Sequence, residues 1–110
     1  MFDKLKNALL SVGVPVSRYF ASQQPNQYIV WAEDGQADSL QADNAMVAQA
    51  LTGTADYFTK TEDDPNFHKI QKALNASGVA WRLASIQHED ETGYIHYEWV
   101  WEVTNGENDF

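Results

Sequence analysis

The sequence predicts an α+β domain, an antiparallel β-sheet of four to five strands with two α-helices packed on one face. Three observations lead there. Residues 94–103 alternate, with Ile95, Tyr97, Trp99, Trp101 and Val103 on one side of a strand and Tyr94, His96, Glu98, Val100 and Glu102 on the other. Two stretches, one beginning at Phe2 and one at Phe67, carry apolar residues at helical spacing. The element order is helix, two or three strands, helix, two strands, which suits helices gathered on one side of an antiparallel sheet.

Phe2, Leu5, Leu9 and Val12 face away from Asp3, Lys4, Lys6 and Asn7, so the chain opens with a short amphipathic helix that Gly13 and Pro15 close. Residues 15–20 read as extended, and a turn follows at Gln24-Pro25-Asn26. Residues 27–33 form a strand with Ile29 and Trp31 on one face and Tyr28, Val30 and Ala32 on the other. Apolar residues on both faces imply cover on both sides, or a position edge-on to a partner. Asp34-Gly35 ends that strand. Residues 35–44 are polar and small and read as a long loop, and loops of such length in compact domains usually have a use.

Residues 43–61 admit two readings. Asp43-Asn44 could cap a helix with Met46, Val47, Ala50 and Leu51 as its stripe and Gly53 as its end, followed by a strand through Thr54, Tyr57, Phe58, Thr59 and Thr61. The rival is one long strand bulged at Gly53, since an isolated glycine in a strand often marks a bulge. Asp63-Asp64-Pro65 starts the second helix, with a capping Asp and then Pro at the first helical position. Phe67, Ile70, Ala73 and Leu74 form its buried stripe, with His68, Lys69, Gln71 and Lys72 outward. The two lysines are assigned to the end where the helix dipole favours cations, and Ser77-Gly78 closes the helix. Residues 79–89 are the outgoing strand of a hairpin, 89–93 its acidic turn and 94–103 its return. Positions 1–104 thus make one domain and 105–110 a frayed polar tail.

Composition narrows the function. The 110 residues suffice for one core, and 44% hydrophobic content with four Trp marks a folded chain. Cysteine is absent, which excludes disulfides and thiolate metal sites. Sixteen acidic residues against seven basic ones give a net charge of −9. Lys4, Lys6, Arg18, Lys60, Lys69, Lys72 and Arg82 are scattered and form no stripe, so specific nucleic-acid binding is not expected. The acidic excess reads first as solubility. The apolar run over 8–16 is broken by Ser11, Gly13 and Pro15, so no secretory signal is expected. No apolar run nears the ~20 residues of a membrane span, and a soluble intracellular protein is the expectation.

Catalytic chemistry finds little support. His68 lies on the polar side of the second helix. His88 and His96 flank the hairpin turn, where they could face one another, and His96 shares a face with Glu98 about 7 Å away. Those three offer the donor types of a metal site without a recognised ligand spacing, so no metal is expected. The pairs Glu33-Asp34 and Asp63-Asp64 and the run Glu89-Asp90-Glu91 sit at element ends, where carboxylates cap helices or hydrate turns. No Ser/His/Asp order, Gly-rich phosphate loop or G-x-S-x-G elbow occurs, so neither catalytic residues nor a cofactor are expected. The aromatic load is more informative. Trp31, Trp81, Trp99 and Trp101, with Tyr57, Phe58, Tyr94 and Tyr97, exceed what two short helices readily cover, each ring burying about 150–250 Å². Part of that surface is expected to meet another subunit. An aromatic platform for single-stranded nucleic acid is the other use of such rings, and the charge argues against it.

At Ala42-Asp43-Asn44, at Gly53-Thr54-Ala55-Asp56-Tyr57-Phe58-Thr59-Lys60-Thr61 and at Thr92-Gly93-Tyr94-Ile95-His96-Tyr97-Glu98-Trp99, the chain resembles a family of small phage and prophage tail completion, or tail terminator, proteins. These are encoded among the head–tail joining and minor tail genes of long-tailed phages. With Ile29-Val30-Trp31 and the helix over 67–74 the resemblance spans nearly the whole chain, and its motifs are structural rather than catalytic. It implies a subunit that forms a homo-oligomeric ring, six-fold in related terminators, capping the tail tube and meeting the head–tail connector. It also implies the host cytoplasm as the place of assembly and the virion tail as the destination. It favours the long bulged strand over 46–61. DNA would pass through such a ring without specific binding, and an acidic lumen would repel its phosphates. The candidate subunit contacts are Asp38, Leu40 and Asp43 in the polar loop, Glu89, Asp90 and Glu91 in the turn, and Tyr94, His96 and Glu98 on the hairpin. The alternative is a cytoplasmic binding module using the sheet face as a ligand or peptide platform.

Overall fold

A computed structural model describes residues 2–36 and 50–104. Its elements run α1 (Asp3–Leu10), β1 (Val16–Arg18), β2 (Gln27–Gln36), β3 (Ala50–Thr59), α2 (Asn66–Ser77), β4 (Ala80–His88) and β5 (Ile95–Thr104). The strands form one sheet in the order β1-β2-β3-β5-β4, and the fold class is α+β as expected. Every neighbouring pair is antiparallel except β1 and β2, which run parallel from Val16↔Ile29 to Arg18↔Trp31. The sheet is therefore mixed. β1 is only three residues long and is followed by Tyr19 in a left-handed backbone conformation (φ 74°). The chain then returns to begin β2 in the same direction.

Alternation on β5 places Ile95, Tyr97, Trp99, Trp101 and Val103 in the core. Their neighbours on that face are Thr59, Tyr57 and Ala55 of β3, and beyond them Ile29 and Trp31 of β2. Both helices lie over this side, bringing Leu5 and Leu9 from α1, with Phe2 just before it, and Ile70 and Leu74 from α2. The cover is better than the sequence suggested. Trp99 and Trp101 are 0% exposed. Phe2 meets Trp101 and Trp31 edge-on at ring-centroid distances of 5.6 and 6.1 Å, and Phe67 lies 4.9 Å from Tyr97 and 5.7 Å from Trp99. Interlocked rings cover one another, so the central tryptophans need no second subunit. Trp81, near the edge, is half-buried and donates its indole N–H to Asn75 Oδ1 at 2.7 Å.

The disputed segment resolves at its described end. Ala50 and Leu51 belong to a strand that continues through Gly53 to Thr59, which excludes a helix reaching Gly53. Met46 and Val47 lie outside the described residues. The bulge is not at Gly53 but across from it: β2 pairs Glu33 with Gly53 and Gly35 with Thr52, leaving Asp34 as the extra residue. β2 also runs past the expected stop at Asp34-Gly35 to Gln36. Gly53 has its own cause. A Cβ there would collide with the Ala32 carbonyl oxygen and with the indole of Trp101, which lies directly opposite on β5.

Asp64 does more than start a helix. Only 3% exposed, its Oδ1 accepts the Asn66 backbone N–H at 2.9 Å. Its Oδ2 accepts from the Tyr57 hydroxyl (2.6 Å), the Thr59 hydroxyl (2.7 Å) and Gln27 Nε2 (2.9 Å). One carboxylate thereby joins β2, β3 and the start of α2. Burial pushes the carboxyl pKa up, but the hydrogen bonds donated by Tyr57, Thr59, Asn66 and Gln27 outweigh it and hold the group below its ordinary value. Burial, with the bond to Asp64, pushes the Tyr57 hydroxyl up to about 12. The helix itself begins at Asn66, one residue later than expected, and ends at Gly78 with a left-handed φ of 81°. Because it runs on to Ser77, Lys69 and Lys72 sit in its middle rather than at its negative end.

Candidate functional site

The side of the sheet turned away from the helices is the candidate site. Parity puts Tyr28, Val30 and Ala32 of β2 there, next to Phe58, Asp56, Thr54 and Thr52 of β3. These in turn adjoin His96, Glu98, Val100 and Glu102 of β5 and Gln87, Ser85, Arg82 and Ala80 of β4. Most of these side chains are half-buried, and neither helix covers them.

At one end of this face the rings close into a cluster. Tyr28 stacks on Phe58 at 4.7 Å, Phe58 stacks on the His96 imidazole at 4.2 Å, and Tyr94 meets Tyr28 and Phe58 edge-on at 5.8 and 6.1 Å. His96 Nε2 lies 2.8 Å from Asp56 Oδ1, its cross-strand diagonal neighbour. The bond to Asp56 raises the imidazole pKa, and partial burial, acting the other way, does not cancel it. A groove of about 310 Å³ opens beside this pair, lined by Tyr19, Phe20, Tyr28, Val30, Asp56, Phe58 and His96 among others. Phe20, at its mouth, is 73% exposed. The groove can take a flat or apolar group against its rings and offer that group one imidazole–carboxylate pair.

The sequence-derived contacts fall in different places. Asp38, Leu40 and Asp43 lie outside the described residues, as does the expected tail over 105–110. β2 ends at Gln36 and β3 begins at Ala50, at the sheet end opposite the turn holding Glu89, Asp90 and Glu91. His96 and Glu98 stand on the helix-free face as expected. Tyr94 does not project. Its ring is buried, with its hydroxyl 2.8 Å from the Gln24 carbonyl oxygen and 2.6 Å from that of Pro25, and with Lys60 Nζ 4.8 Å above the ring. A contact through Tyr94 would require the 24–25 turn to lift.

His88 and His96 do not meet. His88 pairs with Ile95 on the helix side, whereas His96 points to the other face, so the donor set His88, His96 and Glu98 is split between faces. The cause is a bulge on β4, where Leu83 pairs with Trp99 but Ser85 with Glu98, which reverses the parity of every later residue. Among the described residues no group of three His, Asp or Glu side chains is placed to hold a metal ion.

Two features were not read from sequence. The acidic runs at 62–64 and 89–91 come together at one end of the sheet, because Thr59 pairs with Ile95 and Ile95 with His88. At the β1 edge, Arg18 holds Glu33 through contacts of 2.8 Å to each carboxylate oxygen while lying over the rings of Trp31 and Phe2 at 4.7 and 5.3 Å. Arg18 and Glu33 are fifteen positions apart, and only the parallel pairing of β1 brings them together. Among the described residues no helix is long and apolar enough to cross a membrane. No protein-family model matches the chain, and a search of curated proteins returns no significant match.

Proposed function

We propose that the chain is a structural subunit of a phage or prophage tail, assembling as a ring at the head–tail junction to complete the tail tube. The observation that carries the assembly reading is the helix-free face. A two-layer fold leaves much of one side of its sheet without a covering helix, and Val30, Phe58 and Val100, half-buried there among polar side chains, give that side a mixed surface on which a neighbour can seat. The tail assignment rests on the resemblance carried by residues 53–61 and 92–99, whose portions 55–59 and 95–99 pair with one another on adjacent strands.

In this reading Glu62, Asp63, Glu89, Asp90 and Glu91, at one end of the sheet, form the inner wall of the ring, a role that replaces the subunit contact expected of Glu89, Asp90 and Glu91. Carboxylates repel phosphate, so DNA slides past them, whereas a cationic wall would retain it. A ring reconstruction with Lys69, Lys72 or Arg82 lining the bore would contradict this placement. The chain acts in the host cytoplasm during assembly and in the virion tail afterwards, its partners being further copies, the tail tube and the head–tail connector. The genes beside this one test the assignment: portal, terminase and tape-measure genes support it, and a metabolic operon contradicts it.

One observation favours a second reading. The groove beside His96 and Phe58 has the aromatic walls and single polar pair of a ligand site, which suits a stand-alone binding module. A monomer at all concentrations that retains a small aromatic ligand, with the retention abolished in Phe58→Ala, would favour that module over the ring.

A further inference from the structure

We infer that the β4 edge is a self-association seam, on which a second copy of this chain lays its own β4 antiparallel across a two-fold axis. β4 is nine residues long and pairs only with β5, so the outward backbone N–H and C=O groups of its free side have no partner strand among the described residues. Such an edge is a template for another strand.

The occupant follows from charge, length and shape. The chain carries sixteen carboxylates, yet residues 79–88 contain none, so two copies meet there without acid facing acid. The other edge, β1, is also free of acids but spans three residues between Pro15 and the left-handed Tyr19, and its Arg18 is already held by Glu33. It could satisfy only a third of β4. A second β4 matches the full length, and strands related by a two-fold axis are antiparallel by symmetry.

The apolar surface agrees. Trp81 and Leu83 are half-buried and Ile86 is 48% exposed, all on the helix side of β4, where the cover thins toward the edge. A two-fold partner sets the same three residues beside them and extends the sheet and helix layers together. Arg82 and the bulge at Ala84 are devices that discourage indiscriminate strand addition. A partner with the same bulge and twist can still fit. The pair closes on itself, which makes it a resting form that masks the edge in solution, independent of the ring contact proposed above.

The natural absence of cysteine makes the test direct. Single-cysteine variants Arg82→Cys, Ala84→Cys and Ile86→Cys are oxidised mildly, with Phe20→Cys as an exposed control off the edge. Light scattering over a concentration series reads the mass of the full chain, and circular dichroism checks folding. The seam predicts a dimer. It also predicts that at least one β4 variant crosslinks to itself nearly completely while Phe20→Cys does not, since a disulfide needs Cα atoms within about 7 Å. Ala84→Lys should weaken the dimer at least ten-fold with an unchanged spectrum. A monomer throughout with no β4 crosslink overturns the inference. So does a ring of higher mass whose β4 variants crosslink no better than the control, and that result leaves the ring reading standing.

Discussion

Gly53 and Trp101 face each other across β3 and β5, and the indole occupies the space that any side chain at position 53 would need. The alanine Cβ would also strike the Ala32 carbonyl on the other flank, so neither side can yield without moving a strand or the largest ring of the core. Overpacking of this kind costs about 3 kcal/mol. Gly53→Ala should therefore shift the urea midpoint well below wild type, whereas Thr54→Ala, on the helix-free face, should stay close to it. Equal midpoints for the two variants would contradict the packing described.

Asp64 predicts an acid-dependent stability with a definite sign. Its carboxyl pKa is lowered in the folded chain, so its contribution is present above the ordinary carboxyl pKa of about 4 and fades as pH falls through the folded value. Asp64→Ala removes the acceptor for four donors and should cost about 3 kcal/mol at neutral pH. The gap between wild type and variant, read from urea unfolding, should narrow as pH drops below 4. A gap that is constant with pH would mean the carboxylate charge is not what these donors hold.

His96 predicts the opposite slope. Its pKa is raised by Asp56, so the pair stabilises the fold below the ordinary imidazole value of about 6.5 and loses that contribution as pH rises through the higher folded value. An NMR titration should place the His96 midpoint above 6.5, and Asp56→Asn should move it down. A midpoint unaffected by Asp56→Asn would show that the 2.8 Å contact carries no charge coupling.

Much of the fold was legible because its signals are local. The β5 alternation, the apolar stripes of α1 and α2 and the Ser77-Gly78 stop each lie within one element, and all recur in the structure. What escaped depends on residues distant in sequence. Nothing near Gly53 announces that a ring 48 positions away fills its place, and nothing near Asp64 announces donors from residues 27, 57 and 59. The histidines were misplaced by one bulge. Counting in twos from Leu83 puts His88 on the face of His96, and the extra residue at Ala84 returns it to the helix side. The helix-free face was visible as the mixed side of β5, but its groove needed Tyr19, Phe20 and Tyr28 from a neighbouring segment.

The groove also tests the second reading against the first. If the helix-free face seats a neighbouring subunit, Phe58→Glu should abolish higher assembly on tail tubes, since Phe58 stands half-buried between Tyr28 and His96 on that face. Circular dichroism would verify the fold and sedimentation with tail tubes the assembly. Unchanged co-sedimentation would remove this face from the assembly contact.

The most direct measurement locates the chain in a particle. Phage particles or free tails purified from cells encoding this sequence would be labelled with a gold-conjugated antibody against it and viewed by electron microscopy. Label should be confined to the head-proximal end of the tail, one cluster per particle. Label absent from intact particles, or spread along the tube, would contradict the tail assignment.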